Sequence, residues 1–321
     1  MSAVPTTQPL TERRRFGDRF GDLALQGLTA AAALAAAVLL GAIAWKVFET
    51  AWPAITKYGV SFITHQGWDV GKNQFAALDF IWGTAWTSFL ALLVAAPISI
   101  AIGLYLSELA PTGIRWFVAS LVELLAAVPS VVLGLWGILV LGPFVGTQLG
   151  PFLHDHFGFI PLFSGTPQNA GILVAVLVLT IMIVPICASI CRELFLNVPS
   201  ELEEGALALG STRWEMVRGV VLPYTRSGVS AALILGLGRA VGEAIAVTQV
   251  IGAGHGIHWS LFATGDTLAS RIAGQYQGAA TNLQIASLVY LAAILLVISL
   301  IVNLIALWIV RRFSYERIGG G

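Results

Sequence analysis

The sequence predicts an all-α integral membrane protein with six transmembrane helices. Of its 321 residues, 57% are hydrophobic and only 11% are charged, whereas about a quarter of the residues in soluble proteins are charged. A span of about 20 helical residues crosses the hydrocarbon core of a bilayer, and backbone groups cannot stay unpaired in lipid, so spanning segments must be helical. Six apolar segments are long enough, at 23–48, 80–107, 116–142, 169–191, 225–251 and 284–310.

The first span follows an arginine-rich segment. Arg13-Arg14-Arg15 before an alanine-rich run resembles a twin-arginine or secretory signal. The apolar run is longer than a usual signal core and five further spans follow it, so we interpret it as an uncleaved first helix. The expected division of the chain is a flexible cytoplasmic tail, a transmembrane domain and a short cytoplasmic tail, at 1–22, 23–312 and 313–321.

The second, third and fourth spans contain prolines. Pro97, Pro129 and Pro185 are expected to kink these helices against their neighbours. In the fourth span, Cys187 and Cys191 stand four residues apart and would lie on one helix face. Without histidine or carboxylate in register they make a poor metal site, so we interpret them as small packing residues and expect no metal on this chain.

Positive charge in the short loops predicts the orientation of the helices, because lysine and arginine are enriched in cytoplasmic loops. The segments near 49–79, 143–168 and 252–283 hold few cations and are expected outside. Both termini and the loop between the fourth and fifth spans are then cytoplasmic. The arginines of the cytoplasmic set are Arg13, Arg14, Arg15, Arg19, Arg115, Arg192, Arg213, Arg218, Arg226, Arg311, Arg312 and Arg317.

The loop between the fourth and fifth spans is polar but patterned. Ser200 and Glu203 fit a capping box, so a helix is expected to begin after Ser200. Gly210 can adopt the left-handed conformation that ends such a helix. Thr212 and Glu215 fit a second capping box. Two short helices joined by a glycine are therefore predicted in this loop.

Residues 204–223 of this loop are similar to the pattern E-A-A-x(3)-G-x(9)-I-x-L-P of ABC importer permeases. Gly205 replaces the first alanine of the pattern and Val220 replaces its isoleucine. Pro223 is expected to end the second helix or to mark the next boundary. The resemblance implies a cytoplasmic coupling-helix loop, at about 197–224, that docks into a groove of an ATPase. The docking residues that it implies are Glu204, Gly205, Ala206, Gly210, Leu222 and Pro223.

Three charged residues lie inside the predicted spans. Charges there are costly and usually face the bundle interior or a water-filled cavity. Arg239 and Glu243 stand four residues apart on the fifth span, so their side chains could meet. They either line an anion path, with Glu243 holding Arg239, or form a structural ion pair. Glu123 is less decisive, and Thr248 and Gln249 continue the candidate path outward.

Three segments, 128–137, 208–215 and 238–243, together resemble the permease subunits of bacterial phosphate-specific (Pst) ABC importers. The likeness extends from the first span to the sixth and implies a type I ABC importer permease fold. It also implies a PstA-like second permease subunit, a PstB-like ATPase dimer and a PstS-like phosphate-binding protein as partners. ATP and Mg would be bound by the partner ATPase, with no cofactor on this chain.

Other functions remain open on the residues alone. An arginine would serve sulfate as well as phosphate, so a permease for another oxyanion is one alternative. An ion-coupled secondary transporter is another, although no clear internal repeat supports it, and a purely structural membrane subunit is a third. The chain has no G-x-x-x-x-G-K-[ST] segment, so we expect a transport subunit with no ATPase or catalytic residue of its own. The sequence has no basic aromatic patch of the kind that binds nucleic acid, and we expect the helices to be surrounded by membrane lipid.

Overall fold

The structure, a computed structural model, describes residues 16–315. The parts of the expected tails at 1–15 and 316–321 lie outside the described residues. The α-helices are α1 (Phe16–Tyr58), α2 (Ser61–Thr64), α3 (Leu78–Leu104), α4 (Thr112–Ala126), α5 (Ser130–Trp136), α6 (Gly142–Phe144), α7 (Gly150–Phe157), α8 (Ile172–Leu196), α9 (Ser200–Ala208), α10 (Arg213–Met216), α11 (Leu222–Gly242), α12 (Ile245–Val250), α13 (Leu268–Gln275) and α14 (Asn282–Tyr315).

Short irregular elements connect these helices. Five-residue π-helical turns continue them at Tyr105–Leu109, Gly137–Leu141, Val145–Leu149 and Val217–Val221, and Pro161–Phe163 is a 3₁₀ turn. Two short strands, β1 (Trp68–Asp69) and β2 (Gln74–Phe75), pair antiparallel with Trp68 opposite Phe75. By contact the described part of the chain divides into two compact units, with the boundary between Glu49 and Thr50. The description below concerns the second unit.

The six expected spans are present. Among the described residues, six helical segments are long and apolar enough to cross a membrane: Gly21–Tyr58, Leu78–Leu109, Ser130–Phe157, Ile172–Leu196, Arg213–Gly242 and Asn282–Arg312. Pro97 and Pro185 lie inside α3 and α8 as expected. The all-α membrane fold is therefore confirmed, with the small β1–β2 hairpin as an addition.

The third span does not lie at 116–142, as the sequence pattern predicts. Helix α4 ends at Ala126, and α5 begins at Ser130 after an extended Pro129 (φ −60°, ψ 137°). Proline disfavours a helical conformation in the residue before it, so Pro129 separates two helices and does not kink one. The spanning segment then runs to Phe157, well into the stretch expected outside at 143–168. Hydropathy missed this break because both sides of the proline are apolar.

The fifth span also differs from the expected 225–251. Helix α11 ends at Gly242, the backbone at Glu243 is extended (ψ 118°), and α12 begins only at Ile245. On its other side the span begins early, at Arg213, because α10 continues through a π-helical turn into α11. The helix break therefore falls beside the charged pair.

Helix α8 lies at the centre of the second unit. It packs against α3, α4, α11 and α12, and most of its side chains are apolar and buried, as suits a helix with several neighbours. Cys187 and Cys191 are both fully buried in this core. A Cβ at Gly236 of α11 would come within 2.6 Å of the Cys187 sulfur, so the two helices touch through small residues. This placement confirms the packing interpretation of the cysteines.

The segment between α12 and α14 folds over the start of α8. Carbonyls of Val250, Ala263 and Leu261 accept hydrogen bonds from the first N–H groups of α8, at Gly171, Ile172 and Leu173 (2.8–2.9 Å). These N–H groups have no partner within the helix. The loop therefore closes this end of the core by satisfying a helix terminus.

Candidate coupling loop and charged cleft

The first helix of the polar loop is α9, and it lacks the capping box expected from Ser200 and Glu203. Pro199 occupies the N-cap position, and no side chain caps the helix there. Proline favours the extended backbone of an N-cap, so Ser200 moves to the first helical position, from which its hydroxyl cannot reach the third N–H. The helix begins where predicted, but its predicted cap is wrong.

The glycine hinge and the second cap form as predicted. Gly210 has φ +88°, and its N–H donates to the Leu207 carbonyl (3.0 Å) at the end of α9. The Thr212 N–H donates to the Glu215 carboxylate (2.8 Å), and the Glu215 N–H donates to the Thr212 hydroxyl (3.3 Å). The turn between α9 and α10 is thus fixed by local bonds.

Of the two positions expected for Pro223, the structure shows the second: it does not end the second helix but marks the next boundary. It lies in the first turn of α11, directly after the π-helical turn Val217–Val221. A wider turn accommodates a proline, which lacks the N–H and crowds the preceding turn of a regular helix. Leu222 packs against the cluster of buried side chains below the loop, whereas Pro223 is exposed.

The free surface of the loop is both acidic and apolar. Glu204 and Gly205 are exposed, Ala206 is half-buried, and Leu209 is 92% exposed. Exposed apolar patches rimmed by polar residues mark interaction surfaces. A cavity of about 480 Å³ opens between the loop and the end of the second span. Its lining comprises Leu104, Glu108, Leu109, Glu203, Leu207, Arg213, Trp214, Met216 and Val217.

Charge is concentrated at this cavity. Burial, together with the nearby carboxylates of Glu108 and Glu204, raises the pKa of Glu203. Arg213 reaches across to the Glu108 carbonyl (3.5 Å). The loop therefore offers an acidic, partly desolvated face, which suits a partner surface that supplies cations and an apolar contact.

Arg239 and Glu243 do not form the ion pair that their spacing suggested. Because α11 ends at Gly242, the two residues are not on one continuous helix. Among the side chains that the structure describes, no carboxylate pairs with Arg239. The Glu243 carboxylate instead accepts from the Ala246 N–H (3.2 Å) at the start of α12. Glu243 thus stabilises the break between α11 and α12 and does not pair with Arg239.

Arg239 lies in an open cleft of about 550 Å³ between α8, α11 and α14. Its side chain is exposed, while Glu243 is half-buried. The lining residues are Ile186, Leu235, Gly238, Arg239, Gly242, Glu243, Ser299 and Asn303. The sequence interpretation missed Ser299 and Asn303, although two polar residues four apart in an otherwise apolar span were a usable signal.

The other candidate path residues lie apart from this cleft. Glu123 is exposed on α4, which precedes the third span. The Thr248 hydroxyl donates to the Ala244 carbonyl (2.6 Å). Gln249 lies against α5, where a Cβ at Gly134 would meet its side chain at 3.1 Å. The structure brings Arg239 and Glu243 together but places these three residues elsewhere.

Comparison with known proteins decides the family. Residues 99–315 match the family model described as the binding-protein-dependent transport system inner membrane component. This chain belongs to that family. The permease is 41% identical to the phosphate transport system permease protein PstC of Mesorhizobium japonicum, over 98% of each chain. It is 39% identical to the PstC of Pasteurella multocida, over 94% of this chain and 96% of the relative.

Solved structures agree on the fold of the permease. A bacterial alginate ABC transporter in complex with an alginate-bound periplasmic protein has a chain that matches with a TM-score of 0.61 at 19% identity, covering 92% of this chain and 98% of that chain. The MetNI methionine ABC transporter matches with a TM-score of 0.55 at 21% identity, covering 74% and 95%. The type I ABC importer permease fold is therefore confirmed, and the permease is a multi-pass membrane transport subunit.

Proposed function

We propose that this chain is a permease subunit of an ATP-driven importer of inorganic phosphate. The observation that carries the proposal is the near full-length likeness to PstC permeases. A PstA-like second permease subunit would complete the translocation path, and a PstS-like binding protein would deliver phosphate from outside. A PstB-like ATPase dimer would bind ATP and Mg. The importer would lie in the bacterial cytoplasmic membrane with both termini of this chain inside.

The charged cleft supports an anion as the substrate. Arg239 offers a fixed fork of donors that matches phosphate oxygens, and no described carboxylate neutralises it. A guanidinium that is exposed within a transmembrane bundle attracts an oxyanion more strongly than one in bulk water, because the surroundings screen it less. Arg239 is accordingly the residue that we assign to phosphate, with Glu243 holding the helix break beside it.

The polar loop supports coupling to an ATPase. Helix α9 ends at the left-handed Gly210, and the capping box at Thr212 fixes the direction of α10. Because α10 continues into α11, a push on the loop moves the helix that carries Arg239. Glu204 and the exposed apolar side chains would contact the ATPase. Closure of the ATPase dimer would then be transmitted to the cleft through one continuous helix.

The proposal is tested with the reconstituted complex of all four kinds of subunit. Uptake of phosphate and ATP hydrolysis are measured for the wild type and for Arg239→Gln, with sulfate as the control anion. Loss of a charge-assisted contact of about 1.5–3 kcal/mol lowers kcat/KM for uptake roughly 10- to 150-fold. Arg311→Gln, at the exposed end of α14, is the matched control and is expected to retain wild-type uptake.

Two results would contradict the assignment. Equal ATPase stimulation by a sulfate-loaded partner would remove phosphate as the substrate. Uptake without an ATPase would point to a secondary transporter.

For the loop, Glu204→Lys and Gly210→Trp are expected to uncouple hydrolysis from uptake or to release the ATPase. Normal uptake and assembly in both variants would refute the coupling role.

A further inference from the structure

Two polar side chains of α14 line the cleft that holds Arg239. Ser299 and Asn303 stand four residues apart, near the middle of the 34-residue helix α14, and α14 packs against α11. The residues around them, from Leu295 to Leu307, are otherwise apolar. Residues four apart share one helix face, so one polar strip of α14 faces the cleft.

The hydrogen-bonding groups of this strip are only partly satisfied. One N–H of the Asn303 amide donates to the Ser299 carbonyl (3.0 Å) in the same helix. Among the described residues, no hydrogen bond uses the Ser299 hydroxyl or the Asn303 carbonyl oxygen. Polar groups in a spanning segment normally find partners, because an unpaired one is costly there. A ligand in the cleft would supply the missing partner.

Together the cleft presents a donor set suited to a tetrahedral oxyanion. The Arg239 guanidinium carries five N–H donors and a full charge, the Ser299 hydroxyl adds one donor, and the Asn303 amide retains one N–H. One carboxylate oxygen of Glu243 already accepts a hydrogen bond from the Ala246 N–H. Donors from α11 and α14 line the cleft from two sides. Several oxygens of one phosphate group could therefore accept hydrogen bonds at the same time.

We propose that Ser299 and Asn303 bind phosphate beside Arg239 as it passes through the permease. This inference rests on the proposed function, since it assigns further binding residues to the same transport. The two α14 residues hold the oxygens that the arginine fork does not reach. Ser299 and Asn303 contribute hydrogen bonds that raise the affinity for phosphate, and Arg239 contributes the positive charge.

Phosphate chemistry in a membrane has two sources, because a lipid phosphodiester offers similar oxygens. An anionic lipid seated in the cleft would use the same arginine and the same polar strip. The two sources separate in the measurement. Free phosphate predicts a changed KM for uptake, whereas a lipid predicts a change in lipid retained by the purified complex and an unchanged KM.

The test compares Ser299→Ala, Asn303→Leu and the double variant in the reconstituted complex. The expected result is a rise in KM for phosphate of about tenfold for each residue, because each change removes a hydrogen bond to a charged ligand, while the complex still assembles. Ser287→Ala is the matched control, since Ser287 lies on the same helix, is fully buried and, among the described residues, donates only to the Leu283 carbonyl. Ser299→Thr, which keeps the hydroxyl, is expected to restore the wild-type KM.

Three results overturn the inference: an unchanged phosphate KM in the double variant, a defect in Ser299→Thr equal to that of Ser299→Ala, or lipid loss at an unchanged KM. Failure of the proposed function is a different result, in which the wild-type complex takes up sulfate and not phosphate. The same variants are then assayed with sulfate. A raised sulfate KM would support the α14 site for an oxyanion, and an unchanged one would overturn it.

Discussion

Removal of Arg271 is expected to destabilise the permease strongly. Arg271 and Asp266 are 4% and 6% exposed, and Arg271 Nε lies 2.8 Å from Asp266 Oδ2. The guanidinium also lies over the Phe80 ring, 4.6 Å from its centroid. Asp79, equally buried, accepts from the Gly256 N–H (3.0 Å) nearby. This cluster joins α13 and its preceding loop to the start of α3.

The expected cost follows from this burial. Arg271→Met keeps the volume but leaves the Asp266 carboxylate without its cation, and breaking a buried pair in this way costs about 3–5 kcal/mol. At roughly 2 °C per kcal/mol for a chain of this size, the unfolding midpoint should fall by about 6–10 °C. Lys72→Met is the matched control, because the Lys72–Asp69 pair is largely exposed and such pairs contribute about 0–1 kcal/mol.

Thermal unfolding of the purified complex measures both variants. The loss should also depend on pH. Burial raises the pKa of Asp266 above its ordinary value of 3.8, and removal of Arg271 removes the interaction that opposes this rise. The folded state then binds a proton that the unfolded state releases, so stability falls as pH increases above 3.8. The deficit of Arg271→Met is therefore larger at neutral pH than in acid.

A double-mutant cycle provides the decisive comparison. Adding Asp266→Asn to Arg271→Met removes the unpaired charge and should recover part of the lost stability. If the free energy of unfolding of Arg271→Met lies within about 1 kcal/mol of the wild-type value, as we expect for Lys72→Met, the buried-pair reasoning is refuted. The reasoning is also refuted if Asp266→Asn lowers the stability of Arg271→Met by as much as it lowers that of the wild type, since the two residues would then contribute independently.

Two further predictions concern glycines. Gly205→Ala restores the alanine of the family pattern at a site with no atom within 4 Å of the added Cβ, so it should stabilise α9 by about 0.5–1 kcal/mol. Amide hydrogen exchange over residues 200–208 should then slow about two- to fivefold, with uptake at the wild-type level. Faster exchange would contradict this prediction. Gly83→Ala places a Cβ 1.9 Å from the Asp266 carbonyl oxygen and should cost about 1–3 kcal/mol. Thermal unfolding against Gly113→Ala, which meets no atom within 4 Å, measures this, and equal midpoints would refute it.

Much of the architecture was readable from the sequence because it depends on local composition. Six spans follow from apolar windows of sufficient length, since transfer into lipid is a sum over one segment. The Thr212–Glu215 cap and the left-handed Gly210 were predictable because each involves residues within one or two turns. The family pattern of the loop likewise lies within about 20 consecutive residues. These features need no knowledge of what packs against them.

The tertiary structure decided where separate segments meet. Hydropathy could not show that Pro129 divides two helices, because both sides are equally apolar. It could not show that Glu243 accepts a hydrogen bond from the first turn of α12, or that Arg239 has no carboxylate partner among the described residues, since the spacing argument assumed an unbroken helix. Ser299 joins Arg239 in one cleft, and Asp266 pairs with Arg271 beside α3, only because distant segments pack together. Such contacts depend on the arrangement of whole helices, which a linear pattern of residues does not encode.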